Sequence, residues 1–295
     1  MPGLMIDVHQ HLWPAEFIDA LRARANPPLL RGWTLHVAGE PPFEVDPADH
    51  EPAKRAARED GIAVISLSSP LAIEWLPPED AGPLLDAWHR GALELPDPFR
   101  VWAAANVLEP DADLVRDALG SGCVGLQIPA DAMRKPADVE RIAPLLAVCE
   151  QHDRPVMVHP GAATCPPGVP GWWPPVVDYV AQMQAAWWSW HVAGRALLPE
   201  LRICFAAGAG LAPVHHERLV ARGGAFDRID PDVFVDTSSY GPRGVDALVR
   251  VLGIDPVVLG SDRPYAEPTD PGLGEAASRA IRCSNPRRLL EGGLP

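Results

Sequence analysis

The chain has 295 residues and a net charge of −14, with 39 acidic against 25 basic side chains. That balance repels phosphate backbones and excludes nucleic acid as a natural partner. The apolar residues, 47% of the chain, suffice for a large core, but they form no run long enough to cross a bilayer, so no membrane partner is expected.

The opening MPGLMIDVHQHLWP lacks the basic and long apolar stretches of a secretory signal, so a cytoplasmic location is expected. The five cysteines, Cys123, Cys149, Cys165, Cys204 and Cys283, are scattered and form no CxxC pair. They read as reduced thiols rather than a disulfide frame or a zinc ribbon. The 35 prolines, more than double the usual share of about 5%, gather at segment edges, where they stiffen loops and end helices.

Eight short apolar runs follow one another: Met5–His11, Ala63–Pro70, Arg100–Val107, Cys123–Ala130, Pro155–Gly161, Arg202–Gly210, Val233–Ser239 and Val257–Asp262. Several are continuously apolar, as parallel strands covered on both faces are. Helical patterns lie between them. Asp111 is placed to cap a helix carrying Leu114, Val115, Ala118 and Leu119. Val139, Ile142, Leu146 and Cys149 share a helical face after Pro136. Val245, Leu248, Val249 and Leu252 share another, stopped by Gly253. Eight strands alternating with helices predict an α/β fold, a single-domain (β/α)8 TIM barrel over 1–295, in preference to an open doubly wound sheet, for which no GxGxxG follows the first strand. The proline-rich segment 26–50 reads as an irregular insertion after strand one, lying near the barrel mouth.

Three strand ends carry chemistry. In Asp7-Val8-His9-Gln10-His11 the two histidines are two residues apart and share one face of a strand. In PVMVHPG an apolar strand ends on His159, where barrels place their active sites. In VVLGSDRPY a buried strand leads to Asp262, a carboxylate that is costly there unless paired or bound to metal. Together they form a His, His, His, Asp set on strands one, five and eight, suited to one divalent cation, with zinc favoured over iron, manganese or cobalt.

On these motifs the chain resembles the amidohydrolase superfamily, and most the amidohydrolase-related branch that includes aminocarboxymuconate-semialdehyde decarboxylase and resorcylate-type decarboxylases. VGLQIP, the helix of ERIAPLLAVCEQHDRPVMVHPG and the terminal NPRRLL fit that likeness, while IDVHQHLWP is also similar to sugar-lactone hydrolases of the superfamily. The resemblance implies that His9, His11 and His159 are metal ligands, and that Asp262 is a ligand that also handles a proton. Gln127, where binuclear members carry a bridging group, implies one metal. Ala207 stands where the family usually has a strand-six histidine.

His215, near the start of the helix after strand six, is the candidate to replace that histidine, against a helix-surface role for both His215 and His216. Trp172 and Trp173 in a proline-stiffened loop, Tyr240 after strand seven, and Arg263 are candidate substrate contacts; Arg134 is a further candidate for a substrate carboxylate. His191 with Trp187, Trp188 and Trp190 reads as helix packing. His36, His50, His89 and His152 read as surface or loop residues. The leading functional expectation is a metal-dependent hydrolase of a small ester, lactone or amide, with Asp262 moving the proton. The alternatives are a metal-dependent non-oxidative decarboxylase and, because of Ala207, a non-catalytic binding barrel. A homodimer is expected, on the apolar surface of 26–50 and the tryptophan-rich helix.

Overall fold

The computed structural model describes residues 3–226 and 228–293. Eight parallel strands form one sheet in chain order: Met5–Gln10, Gly61–Ile65, Phe99–Ala104, Gly125–Pro129, Val156–His159, Ile203–Phe205, Val233–Asp236 and Val257–Val258. The last strand closes on the first. Val8 N donates to the Leu259 carbonyl, Asp262 N to the His9 carbonyl and His11 N to the Arg263 carbonyl, at 2.9, 2.9 and 2.6 Å. This is the (β/α)8 barrel expected from the sequence.

The helices follow the capping and periodicity signals. Asp111 accepts from Asp113 N and starts the helix Ala112–Gly120, which buries Val115, Ala118 and Leu119 while Leu114 stays exposed. Pro136 opens the helix Pro136–Gln151 and Val139, Ile142, Leu146 and Cys149 are buried. The helix Pro242–Leu252 buries Val245, Leu248 and Leu252 and stops at Gly253, whose φ of 78° suits glycine. No helix among the described residues is long and apolar enough to cross a membrane.

Two apolar layers hold the barrel. The larger joins the outer faces of the strands to the helices. The smaller fills the barrel with Ile6, Val8, Val64, Trp102, Met157, Cys204, Phe234 and Val258. Trp102 is fully buried there and its indole N–H donates to the Val8 carbonyl at 2.8 Å, so the ring adds apolar filling without an orphaned donor. Gly125 makes room for it: a methyl at that position would lie 2.5 Å from the Trp102 ring and 2.2 Å from the Pro155 carbonyl oxygen.

Segment 26–50 is more regular than its composition suggests. Leu29–Arg31, Thr34–His36 and Phe43–Glu44 pair as a small antiparallel sheet, followed by a 3₁₀ turn at Pro47–His50. Two contacts tie it to the barrel. His50, expected on the surface, is buried; it accepts from Trp13 N at 3.0 Å and stacks on the Trp13 ring at 4.5 Å. Arg55, just beyond the segment and buried, donates to the His11 carbonyl and Gln10 Oε1 at 2.7 Å and to the Asp49 carbonyl at 2.9 Å. His89 is likewise half-buried rather than superficial, its Nε2 accepting from Ala104 N at 3.0 Å.

Gly125→Ala is expected to lower the free energy of unfolding by at least about 1–3 kcal/mol, because the new methyl meets backbone on one side and a caged indole on the other. Urea unfolding of the variant at the wild-type midpoint would show the barrel to be more plastic than this.

Candidate metal centre

Strict alternation along the first strand places Ile6 and Val8 inside the barrel and would send His9 outward. The strand does not keep that alternation. Asp7 stands opposite Ala63 but Gln10 opposite Ile65, so three steps on one strand match two on its neighbour. Such a bulge re-aims side chains, and here it turns His9 and His11 together toward the mouth. Their Nε2 atoms lie 3.2 Å apart. His159, at the end of the fifth strand, brings its ring centroid to 4.8 Å from His9 and 5.0 Å from His11. Asp262 Oδ1 is 3.1 Å from His11 Nε2 and 3.5 Å from His9 Nε2. One ligand atom from each of the four residues lies within 4.8 Å of all the others. Asp262 reaches this point from a loop, at a φ of 64°, with its N–H held by the His9 carbonyl.

The other nitrogen of each ring decides what the cluster is for. His9 Nδ1 is 2.7 Å from Asp236 Oδ2, His11 Nδ1 is 3.0 Å from the Ser66 carbonyl, and His159 Nδ1 is 2.8 Å from the Pro160 carbonyl. All three partners only accept, so each Nδ1 carries a hydrogen and each Nε2 is the atom that offers a lone pair inward when its ring is neutral. Three lone pairs and a carboxylate oxygen facing one point repel unless a positive charge sits among them. The donor set fits one divalent cation with three imidazoles and one carboxylate. Gln127 faces the Leu67 and Ser69 side instead.

The electrostatics agree. Burial opposes charging His9, but Asp236 against its ring, with Asp262 and Asp7, outweighs it and lifts the pKa to about 9. Burial lowers His11, with Asp262 opposing, and burial lowers His159 well below its ordinary value, with His9 and His11 adding to the effect. Those two imidazoles are therefore neutral, and a cation binding here displaces the proton that His9 otherwise holds. Asp236 is itself fixed by Ser238, whose N–H and hydroxyl donate to its Oδ1 at 3.0 and 2.7 Å. Gly260 leaves it space, since a methyl there would lie 2.6 Å from Asp236 Oδ2. Sequence reasoning missed Asp236; the only signal was a carboxylate ending an apolar strand, VFVD.

A second buried group lies beside the cluster. Gln127 Nε2 donates to the Leu67 carbonyl at 2.9 Å and to Ser69 Oγ at 2.6 Å, and Ser69 Oγ donates to Glu74 Oε1 at 2.5 Å. Glu74 Oε2 has no hydrogen-bond partner among the described residues. Burial raises the Glu74 pKa to about 7, the Ser69 bond opposing and nearby Asp131 adding to the rise. Glu74 carried no signal in the sequence.

The other expected contacts are dispersed. Arg263 pairs with Glu59 at 3.3 Å and Glu267 at 2.8 Å, because as the residue after Asp262 it faces away from the cluster; it is not free for substrate. His215 is exposed on the outer surface, so it does not replace the missing strand-six histidine. His216, expected on the surface beside it, is buried, stacked on Phe226 and accepting from the Trp187 indole at 3.3 Å. His191 packs in that same aromatic group, as expected. Tyr240 packs its ring against Gly208 and Gly244, which makes it a packing residue. Trp172 is 57% exposed, with Trp173 6.0 Å away ring to ring; neither stacks on the histidine cluster. Arg134 lies in a separate surface groove with Trp75, Asp131, Lys135 and Arg141.

A cluster of this kind at the C-terminal mouth of a (β/α)8 barrel is the pattern of the amidohydrolase superfamily. Within it the chain resembles the aminocarboxymuconate-semialdehyde decarboxylase-like branch. No family model matches the chain. A 2-amino-3-carboxymuconate-6-semialdehyde decarboxylase of Dictyostelium discoideum is 28% identical over 52% of this chain and 46% of its own length, so the match spans about half of that relative. Three solved structures share the fold. IDCase from Metarhizium anisopliae has a TM-score of 0.76 at 19% identity, covering 97% of both chains. A 5-carboxyvanillate decarboxylase from Novosphingobium aromaticivorans, complexed with manganese and 4-hydroxy-3-methoxy-5-nitrobenzoic acid, has a TM-score of 0.71 at 16% identity, covering 98% of this chain and 96% of its own. A 2,6-dihydroxybenzoate decarboxylase from Rhizobium has a TM-score of 0.66 at 16% identity, covering 99% of both. The Dictyostelium relative and the last two structures are named as decarboxylases; the leading expectation of a hydrolase draws no support from them, and the decarboxylase alternative does.

Asp236→Asn is expected to weaken metal affinity about 10–100-fold, read by competition with a chromophoric chelator; unchanged affinity would remove Asp236 from the centre. Glu74 gives a pH signature. Below its ordinary pKa of 4.5 it is neutral in both states, and its contribution to stability is full. As pH rises from 4.5 through about 7 the unfolded chain ionises first, and stability falls by up to about 3 kcal/mol. Glu74→Gln removes this loss, so the variant gains on wild type across that window in urea unfolding. Parallel pH profiles for the two proteins would refute it.

Proposed function

We propose that this protein is a metal-dependent, non-oxidative decarboxylase of a small aromatic or conjugated carboxylic acid. The observation that carries the reading is the convergence of three tautomer-locked imidazoles and Asp262 on one point, in a chain whose relatives include decarboxylases. His9, His11, His159 and Asp262 would hold one divalent cation. When bound, it supplies Lewis acidity toward the substrate carboxylate and a neighbouring oxygen. The set accepts zinc or manganese.

The protein's own groups supply the rest. Asp236, Ser66 and Pro160 hold the imidazoles in orientation, so little reorganisation accompanies substrate entry. Asp262 is the one member of the four that opens to solvent, its side chain 22% exposed against 1–2% for His9 and His11. It is therefore placed to deliver a proton to the carbon that loses carbon dioxide. Tyr265 sets its ring 5.5 Å from His11 and is 51% exposed, an apolar wall for a flat substrate.

The test is carbon dioxide release. Protein stripped by chelator and reloaded with manganese or zinc is offered 2,6-dihydroxybenzoate and 5-carboxyvanillate, beside a panel of aryl esters and lactones. Metal-dependent carbon dioxide release is expected, with Asp262→Asn slower by about 100-fold or more. Ester or lactone hydrolysis without any carbon dioxide would overturn the reading in favour of a hydrolase.

A further inference from the structure

The first strand buries more polar groups than its two histidines. Asp7 and Gln10 are 2% and 0% exposed, and a carboxylate and an amide so placed are costly unless hydrogen-bonded. Asp7 meets that demand by spanning two parts of the centre. Its Oδ1 accepts from His9 N at 3.2 Å and from Ser261 N at 3.0 Å. One oxygen atom therefore grips the backbone of a histidine of the cluster and the backbone of the residue that precedes Asp262. Its Oδ2 accepts from Gln10 Nε2 at 2.9 Å.

The amide that steadies Asp7 is itself locked. Gln10 Oε1 accepts from Arg55 Nη2 at 2.7 Å, and Gln10 Nε2 also donates to Glu59 Oε2 at 2.9 Å. Turning the amide over would set its oxygen against two carboxylates and its NH2 against a guanidinium. Glu59, whose side chain is 2% exposed, accepts from Arg263 Nη1 at 3.3 Å. Arg263 leads back to the same loop: its N–H donates to Ser261 Oγ at 3.2 Å, and its carbonyl accepts from His11 N. Both neighbours of Asp262 are thus tied to the first strand, one through Asp7 and one through the backbone of His11. Asp262 between them sits at a φ of 64°, a left-handed backbone that a residue with a Cβ keeps only where its surroundings over-determine it.

We infer that Asp7 is a positioning residue of the metal centre: by tying His9 N to Ser261 N it sets the reach of the Asp262 carboxylate to the imidazoles of His9 and His11. This rests on the metal-dependent reading above and adds to it a residue that acts through the backbone of others. Asparagine, nearly the same size, cannot replace it. With its oxygen toward His9 and Ser261, its NH2 meets the Gln10 NH2. Turned over, its NH2 meets the two backbone N–H groups. Either way donor faces donor. Gln10 is held by Arg55 and Glu59, so the conflict is relieved only by moving the strand or the loop. Loss of the charge also weakens the bonds that remain. The displacement falls on the spacing between the histidines and Asp262.

The test compares wild type, Asp7→Asn and Gly125→Ala, the last a control whose stability is lowered elsewhere in the barrel. Each protein is stripped by chelator and titrated with cobalt(II) against a chromophoric competitor; the visible absorption of the cobalt-loaded protein is recorded separately. Asp7→Asn is expected to bind cobalt about tenfold more weakly than wild type and to shift the visible bands, whereas Gly125→Ala keeps the wild-type affinity and bands despite its lower melting temperature. Wild-type affinity and bands in Asp7→Asn, at whatever melting temperature, overturn the positioning role and leave Asp7 as a residue of the fold alone. Amide hydrogen exchange in metal-free wild type needs no variant: slow exchange at both His9 and Ser261 is expected, and exchange of Ser261 at the rate of a free amide overturns the tie even where Asp7→Asn fails to fold. Wild type that binds no cobalt while Ser261 stays protected instead overturns the metal-dependent reading and leaves the tie between strand and loop standing.

Discussion

Three imidazole Nδ1–H groups, each committed to an oxygen that can only accept, organise this molecule's site. Asp236, the Ser66 carbonyl and the Pro160 carbonyl fix the tautomers, and that leaves three lone pairs and Asp262 crowded around one point. Without a cation the crowding is relieved only by a proton kept on His9, whose Nε2 lies 3.2 Å from His11 Nε2. The barrel supplies the constraint, since strands one, two, five, seven and eight place these groups and their partners around a single mouth. The cluster is unfavourable without positive charge and favourable with it, and the raised pKa of His9 expresses the same imbalance as a retained proton.

The surrounding fold bears the cost of this arrangement in small, local departures from regular structure. The first strand gives up one step of its register so that His9 and His11 turn inward. Asp262 adopts a left-handed backbone. Glycines at 125 and 260 give up side chains so that Trp102 and Asp236 fit. The bulged strand and both glycines are buried, so their neighbours can enforce these departures.

The sequence made the barrel legible because its parallel strands are apolar on both faces and its helices carry their own caps, at Asp111, Pro136 and Gly253. Every expected strand ran past its observed end, furthest in the second, sixth and eighth positions. Ser66–Ser69, Ala207–Leu211 and Leu259–Asp262 leave the sheet while remaining apolar or small, so composition could not mark the exit. The ligand set was legible because histidines and an aspartate at strand ends have few structural uses. Their supports were not: Asp236 and Glu74 matter through neighbours distant in the chain. Arg263 misled because a guanidinium beside Asp262 looks available until Glu59, 204 residues away, is seen to hold it. Segment 26–50 hid a sheet because its strands are only two or three residues long.

The seam between the first and last strands has a bearing on how the molecule is made. His9 and His11 lie on the first strand, whereas Asp262 and the backbone groups that dock it against His9 follow the last, so the two halves of the set meet only when the sheet closes. A barrel whose last strand has not yet docked therefore exposes a pair of histidines without their carboxylate companion. Such an incomplete set binds cations weakly and discriminates poorly among them, so selective metal capture becomes possible only once the barrel has closed.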